Sequence, residues 1–97
     1  NAVAVVSNVG IEVQREILEN AWEYLKTGGV MVYSTCTLNK EENEENIKWF
    51  LSKHKDATIE KVFIGKGANL CYDQMGTLTI LPNEYMDGFF VAKIKKN

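Results

Sequence analysis

Ten consecutive residues, Gly28-Gly29-Val30-Met31-Val32-Tyr33-Ser34-Thr35-Cys36-Thr37, limit what this chain can fold into more than any other stretch. Residues 30–33 are an unbroken apolar run of β-branched, unbranched and aromatic side chains. Such a run predicts a central strand covered on both faces, because a half-exposed strand would alternate with polar residues. Two glycines stop whatever precedes the strand, and four small polar or thiol residues follow it. In open α/β sheets ligands bind just beyond the carboxyl ends of the strands, which puts Ser34, Thr35, Cys36 and Thr37 where chemistry is expected.

The flanks read as helices. Over residues 12–26 the apolar positions Ile17, Leu18, Ala21, Trp22 and Leu25 recur at the spacing of an amphipathic helix lying on a sheet. Lys26 suits the negative end of its dipole, and Gly28 suits a left-handed cap. After the strand, Asn39 with Glu42 predicts the start of a second helix, with Glu41, Glu42, Glu44 and Glu45 in its first turns and Ile47, Phe50, Leu51 and His54 as its buried stripe. A strand over residues 58–64 completes a strand-helix-strand crossover, expected to be right-handed. Residues 65–76 are bounded by glycines and too polar and irregular for an element. Residues 77–81 alternate threonine with Leu78 and Ile80 before Pro82. They predict a strand antiparallel to residues 89–94, across a connection containing Asp87-Gly88. Residues 1–10 carry no charge and no clear period and are assigned to no element. With these elements one edge of the strand at 30–33 lacks a neighbour, so the chain reads as part of a larger sheet.

Composition narrows the function. A chain of 97 residues with 45% hydrophobic side chains is at most one domain with a single modest core. A net charge of -2 and a pI near 5.4 argue against holding nucleic acid by bulk charge, so any such contact must be local. Two cysteines, with no signal-peptide pattern and no apolar run of about 18 residues, predict free thiols in a reducing cytoplasm and no membrane span. A single disulfide between Cys36 and Cys71 stays open at this point. Two distant cysteines and the lone His54 have no zinc-ligand spacing, and no metal site is assigned.

Cys36 lies between a strand end and a helix start, where the helix N-terminus favours thiolate. On position alone the commoner role of such a cysteine is that of a small buried hydrophobe. The glutamates at 41, 42, 44 and 45 read first as a solvated first turn. Asp87-Gly88-Phe89-Phe90 reads as a turn entering a buried strand. Trp22, Tyr33, Trp49 and Phe50 are possible stacking platforms for bases, yet all but Trp49 fall on predicted core faces. Lys93, Lys95 and Lys96 form a small basic tail of the solubilising kind, and Cys71 is a bystander in the glycine loop.

Several segments together resemble the RNA cytosine-5 methyltransferases of the Sun/Fmu (ribosomal RNA methyltransferase B) and nucleolar Nop2 type, in their C-terminal catalytic domain. They are Gln14-Arg15-Glu16-Ile17-Leu18, then Leu25-Lys26-Thr27-Gly28-Gly29 running through Thr35-Cys36-Thr37-Leu38, then Glu41-Glu42-Asn43-Glu44, and last Ile80-Leu81-Pro82 with Asp87-Gly88-Phe89-Phe90-Val91-Ala92. They occur in the family's order. The resemblance implies an α/β chain forming the C-terminal part of a class I, Rossmann-like, S-adenosylmethionine-dependent methyltransferase sheet, mixed, with an antiparallel last strand. Residues 11–97 would be that portion and residues 1–10 a lead of unassigned role. It implies that Cys36, in the Thr35-Cys36 motif, attacks C6 of a cytosine in RNA, that the RNA is ribosomal, and that the parent enzyme forms 5-methylcytosine. The chemistry demands such a group, since C5 of cytosine becomes a competent nucleophile only after a thiolate adds at C6.

The sequence departs from the family's pattern by lacking the glycine-rich donor loop, the acidic ribose-binding residue and the Pro-Cys motif. S-adenosylmethionine is therefore expected to be held by residues outside this chain, with the remainder of the methyltransferase domain as a partner, and the isolated chain is expected to be inactive. The competing reading is a non-catalytic α/β module that binds a partner through an exposed sheet edge. The family's fold further implies that the strand at 89–94 lies antiparallel between those at 30–35 and 58–64.

Overall fold

The computed structural model describes residues 2–7, 10–36, 43–82 and 88–97, with side chains from Gly10 onward. Two helices lie on one face of a six-stranded mixed sheet. In chain order the elements are β1 (Ala2–Ser7), α1 (Ile11–Tyr24), β2 (Val30–Thr35), α2 (Glu44–Lys53), β3 (Ala57–Glu60), β4 (Leu70–Tyr72), β5 (Leu78–Ile80) and β6 (Phe89–Lys96). The ladder runs β1-β2-β6-β5-β4, and β3 also pairs with β6.

The strand at the centre of the sequence argument forms as expected, with one correction to its surroundings. Met31, Tyr33 and Thr35 are fully buried while Val30, Val32 and Ser34 are only half-buried, so β2 is covered by helices on one face and not on both. Strict alternation appears because both helices pack on the same side. Trp22 of α1 meets Phe50 of α2 edge-on at 5.0 Å, and Leu18, Trp22, Ile47 and Phe50 close over Met31, Tyr33, Phe90, Ala92 and Ile94. Burying one such large side chain contributes about 1.5–3 kcal/mol, so this layer supplies most of the driving force for folding.

Residues 1–10, to which sequence assigned no element, contain β1. It pairs parallel to β2 from Ala2↔Val30 to Ser7↔Thr35 and occupies the edge that sequence reasoning had left bare. An uncharged apolar hexamer has no period to display when it is read alone; its partner makes it a strand. Among the described residues the outer edge of β1 carries no further strand.

On the other side, β6 runs antiparallel to β2 and lies between β2 and β3, as expected. Its far edge is shared end to end: Lys93, Lys95, Ile94 and Lys96 take β3, while Phe89, Phe90 and Val91 take β5. This sharing corrects the expected strand at 58–64. β3 stops at Glu60 opposite Lys93, one position short of the stretch of β6 that β5 takes from Val91, and the chain leaves the ladder, with the Val62 amide donating to the Gly76 carbonyl at 3.0 Å. A second correction lies in residues 65–76, where Leu70, Cys71 and Tyr72 form β4, antiparallel to β5. Three residues are too few to show an alternating pattern.

The helix ends also differ from expectation. The first helix closes at Tyr24, so Lys26 lies beyond its last turn. Gly28 adopts a positive φ of 89°, but in the turn into β2 and not as the cap. The cation at the end of α1 comes from the far end of the chain: Lys96 Nζ donates to the Trp22 and Leu25 carbonyls at 2.8 and 3.0 Å, with the ammonium 5.1 Å from the centre of the Trp22 ring. Lys96 is thus not simply part of a solubilising tail. The described part of α2 is preceded by Asn43, with Glu44 and Glu45 in its first turn; Asn39, Glu41, Glu42 and Asp87 lie outside the described residues.

Replacing Lys96 with Met keeps the apolar stem and removes two charge-assisted hydrogen bonds at a helix end. Lys96→Met is expected to lower stability by about 1–3 kcal/mol. Urea denaturation monitored by tryptophan fluorescence measures it, and an unchanged midpoint would show that the cap contributes nothing.

Candidate functional site

β2 delivers Thr35 and Cys36 to the carboxyl edge of the sheet, with opposite environments. Thr35 is fully buried and Cys36 is exposed. The reading of Cys36 as a buried hydrophobe therefore falls. The Thr35 hydroxyl bonds to Oδ1 of Asn43, also buried, which immediately precedes α2. Strand end and helix start are thereby tied together across the connection that follows Cys36. The Asn43 side chain makes no capping hydrogen bond to α2, whose first bond runs from the Ile47 amide to the Asn43 carbonyl.

Beneath that edge lies a buried set of polar contacts. The Tyr33 hydroxyl donates to Gln14 Oε1 at 3.1 Å, and Asn46 Nδ2 donates to the same oxygen and to the Tyr33 oxygen, each at 3.2 Å. Asn46 Oδ1 accepts from Arg15 Nε at 2.9 Å, and the Arg15 guanidinium lies 4.4 Å over the Trp49 ring. Gln14, Tyr33 and Asn46 are all fully buried, and they join α1, β2 and α2 at one point. Unpaired polar groups at such depth would each cost about 1–3 kcal/mol, so the three are mutually dependent. The sequence patterns mark Gln14 only through the family resemblance and do not single out Asn46. A signal was available: Gln14 stands four residues before Leu18, and Asn46 four before Phe50, so both are polar residues on apolar stripes.

The remaining candidates separate from this edge. His54 closes the other end of α2, a helix of ten residues and therefore roughly 15 Å long. There its Nε2 lies 2.9 Å from Glu19 Oε1, and its ring lies 4.4 Å from that of Phe50, a tether between the helices and no partner for Cys36. Glu45 faces outward toward Lys48, an exposed pair at 3.8 Å that contributes little. Trp22, Tyr33 and Phe50 are core residues as expected, and Trp49 has Arg15 and Lys53 over its ring. Gly88 and Phe90 are buried, in keeping with packing. Cys71, exposed on β4, is separated from β2 by β6 and β5, about 14 Å of sheet. That is too far for a disulfide with Cys36, and both thiols are free. Among the described residues no cluster of three His, Cys, Asp or Glu side chains could hold a metal ion, and no helix is long and apolar enough to cross a membrane.

The model of the 16S rRNA methyltransferase RsmB/F family matches residues 6–95. The chain belongs to that family. Among curated RsmB/F relatives, it is 41% identical over 88 residues to the ribosomal RNA small subunit methyltransferase F of Cronobacter sakazakii, covering 86% of this chain and 18% of that protein. The corresponding protein of Shewanella amazonensis is 42% identical over 88 residues, covering 88% of this chain and 19% of its own length. The chain thus spans about a fifth of the length of these relatives. A methyltransferase homologue from Pyrococcus horikoshii superposes with a TM-score of 0.81 at 28% identity, over 99% of this chain and 39% of that one. The structure of NSun6 from the same organism, solved with SFG, gives a TM-score of 0.70 at 35% identity, over 89% of this chain and 22% of that one. The expected fold class, a Rossmann-like methyltransferase sheet with an antiparallel last strand, is the one observed.

Removing the central hydroxyl tests the polar contacts of this RsmB/F chain directly. Tyr33→Phe is expected to cost about 1–3 kcal/mol, because Asn46 loses an acceptor and Gln14 a donor in a site closed to water. Equilibrium unfolding in urea reads the loss; equal midpoints for the two proteins would refute the dependence.

Proposed function

We propose that this chain is the C-terminal part of the catalytic domain of an S-adenosylmethionine-dependent methyltransferase that forms 5-methylcytosine in ribosomal RNA, with Cys36 as covalent nucleophile. One observation carries the proposal: the exposed Cys36 directly follows a buried threonine, at the carboxyl end of a strand that the Thr35–Asn43 bond fixes against α2. A reacting thiol needs access on one side and a rigid support on the other, and this position supplies both. The substrate reading is supported by the RsmB/F match and by relatives named for the small-subunit ribosomal RNA.

Cys36 acts by adding its thiolate to C6 of the cytosine. The C6–S bond forms and the electron pair of the C5–C6 double bond moves to C5, making it enamine-like. A sulfonium donor, when bound, would supply the methyl group to that carbon, its S–CH3 bond breaking as the sulfur leaves as a neutral thioether. Loss of the C5 proton to a base and expulsion of the Cys36 thiolate then restore the ring's double bond and free the enzyme.

No donor site is assigned among the described residues. Neither the cleft beside Phe63 and Tyr72 nor the one beside Arg15 and Trp49 includes Cys36. The donor is assigned to the rest of the domain; that the parent enzyme takes such a ligand is supported by NSun6 having been solved with SFG. Two surfaces suit that remainder, the open edge of β1 and the sheet face around Val30 and Val32, at the end of β2 away from Cys36. An apolar face and an unpaired strand edge are both liabilities when uncovered.

In the full-length enzyme Cys36→Ala is expected to abolish turnover and the covalent adduct with RNA containing 5-fluorocytosine, while Cys71→Ala leaves both nearly intact. Fluorine at C5 cannot leave as a proton does, so a thiolate that has added at C6 stays bonded. Denaturing gel electrophoresis detects the adduct, and its survival in Cys36→Ala would assign the nucleophile elsewhere. The 97-residue chain alone is expected to show no binding of S-adenosylmethionine by calorimetry; saturable micromolar binding would overturn the placement of the donor site.

A further inference from the structure

Residues 61–76, the arm that leaves the ladder between β3 and β5, carry an unusual concentration of exposed apolar surface. Phe63 is 69% exposed, Ile64 63% and Tyr72 40%. Phe63 and Tyr72 stack on each other with ring centres 5.3 Å apart and planes 29° apart. The Tyr72 hydroxyl donates to the Gly65 carbonyl at 2.6 Å and accepts from the Ile64 amide at 3.2 Å, which holds the ring in place. Together with Lys61, Asp73 and Gln74 the two rings line a cleft of about 230 Å³. Its floor is a turn at Gly76, where φ is +108° and a Cβ would lie 2.8 Å from Ile59 Cγ2, so the turn packs tightly against β3.

We propose that this cleft is a stacking site for one unpaired nucleobase of the RNA substrate, flanking the target cytosine. The proposal rests on the RNA reading above and adds a contact outside the reacting site. Strand register supports it. Tyr72 pairs with Leu78, Leu78 with Val91, and Val91 with Ser34, so Tyr72 lies on one line across the sheet with the residue two before Cys36. Three strand spacings separate them, about 14 Å, a distance that a single strand crosses in a few nucleotides.

The chemistry also fits a base better than a protein helix or strand. The cleft takes one flat ring, and the highly exposed Phe63 offers a free aromatic surface already ordered by its stack on Tyr72. Ordering in advance removes a cost that binding would otherwise bear. Lys61 at the cleft and the exposed Lys66 on the same arm provide cations for adjacent phosphates. Gln74 and Asp73 supply donor and acceptor groups at the rim, the Asp73 carboxylate already accepting from the Met75 amide at 2.7 Å. A chain of net charge -2 needs such a local site if it is to touch RNA at all.

The test uses the full-length enzyme and a short fluorescein-labelled oligocytidine, with a blunt RNA duplex as control, read by fluorescence anisotropy. Phe63→Ala is expected to weaken single-strand binding by about 5- to 100-fold, with Phe63→Trp close to wild type and duplex binding little changed. Lys61→Gln is expected to reduce the salt dependence of binding by about one phosphate contact. Phe63 is mostly exposed, so the variants keep their fold, which circular dichroism verifies. Unchanged single-strand affinity in Phe63→Ala overturns the proposal, as does an equal loss for duplex. The two assignments fail separately: a persistent 5-fluorocytosine adduct in Cys36→Ala with weakened binding in Phe63→Ala removes the nucleophile and keeps the stacking site, and the converse pair of results does the opposite.

Discussion

One strand, β6, has to serve three partners, and the arrangement of the whole sheet follows from how it does so. On one side it is paired along six residues with β2; on the other its length is divided between β3 and β5. A ladder position accepts a single neighbour on each side, because each backbone group there is consumed by one hydrogen-bonded partner. β3 must therefore end where β5 begins, and the intervening sixteen or so residues are turned outward as an arm with its own short strand β4. The same strand ends in Lys96, which reaches the last carbonyls of α1 and ties the C-terminus of the chain to its first helix.

Above β2 the helices are located by polarity as much as by oil. Leu18, Trp22, Ile47 and Phe50 would tolerate some sliding of α1 against α2, since apolar contact has no direction. Gln14, Tyr33 and Asn46 add direction, because the hydrogen bonds among them hold only when the two helices and β2 keep this relative position. The result is a rigid corner under Thr35, with the Asn43 bond as its upper tie and Cys36 as the first exposed side chain beyond it. Rigidity at that place is what positioning of a reacting group requires. Glu45 turns outward to Lys48, and the half-buried His54 closes the opposite end of α2 from the Thr35–Asn43 tie.

The helical face of the sheet is closed and the other is not. Val30, Val32 and Val91 remain half-exposed opposite Met31, Tyr33 and Ala92. In RsmB/F relatives about five times the length of this chain there is ample further sequence to cover such a face.

The sequence by itself determined the elements whose signals are local: an amphipathic stripe at Leu18, Trp22 and Leu25, a strand at 30–35 ending in Thr35-Cys36, a second stripe at Ile47 and Phe50, and the antiparallel pair at Leu78 and Phe89. It also carried the family, because Thr35-Cys36 and the glutamate-asparagine run are contiguous. Tertiary structure alone decided what depends on distant partners. β1 has no period of its own and exists by pairing with β2; β4 is too short to announce itself; β3 is cut short by competition for β6. Burial of Gln14 and Asn46, the reach of Lys96 and the alignment of Tyr72 with Ser34 join residues from 13 to 74 positions apart or align them through two intervening strands. No local pattern encodes such contacts, since each is satisfied only when the sheet has brought both partners together.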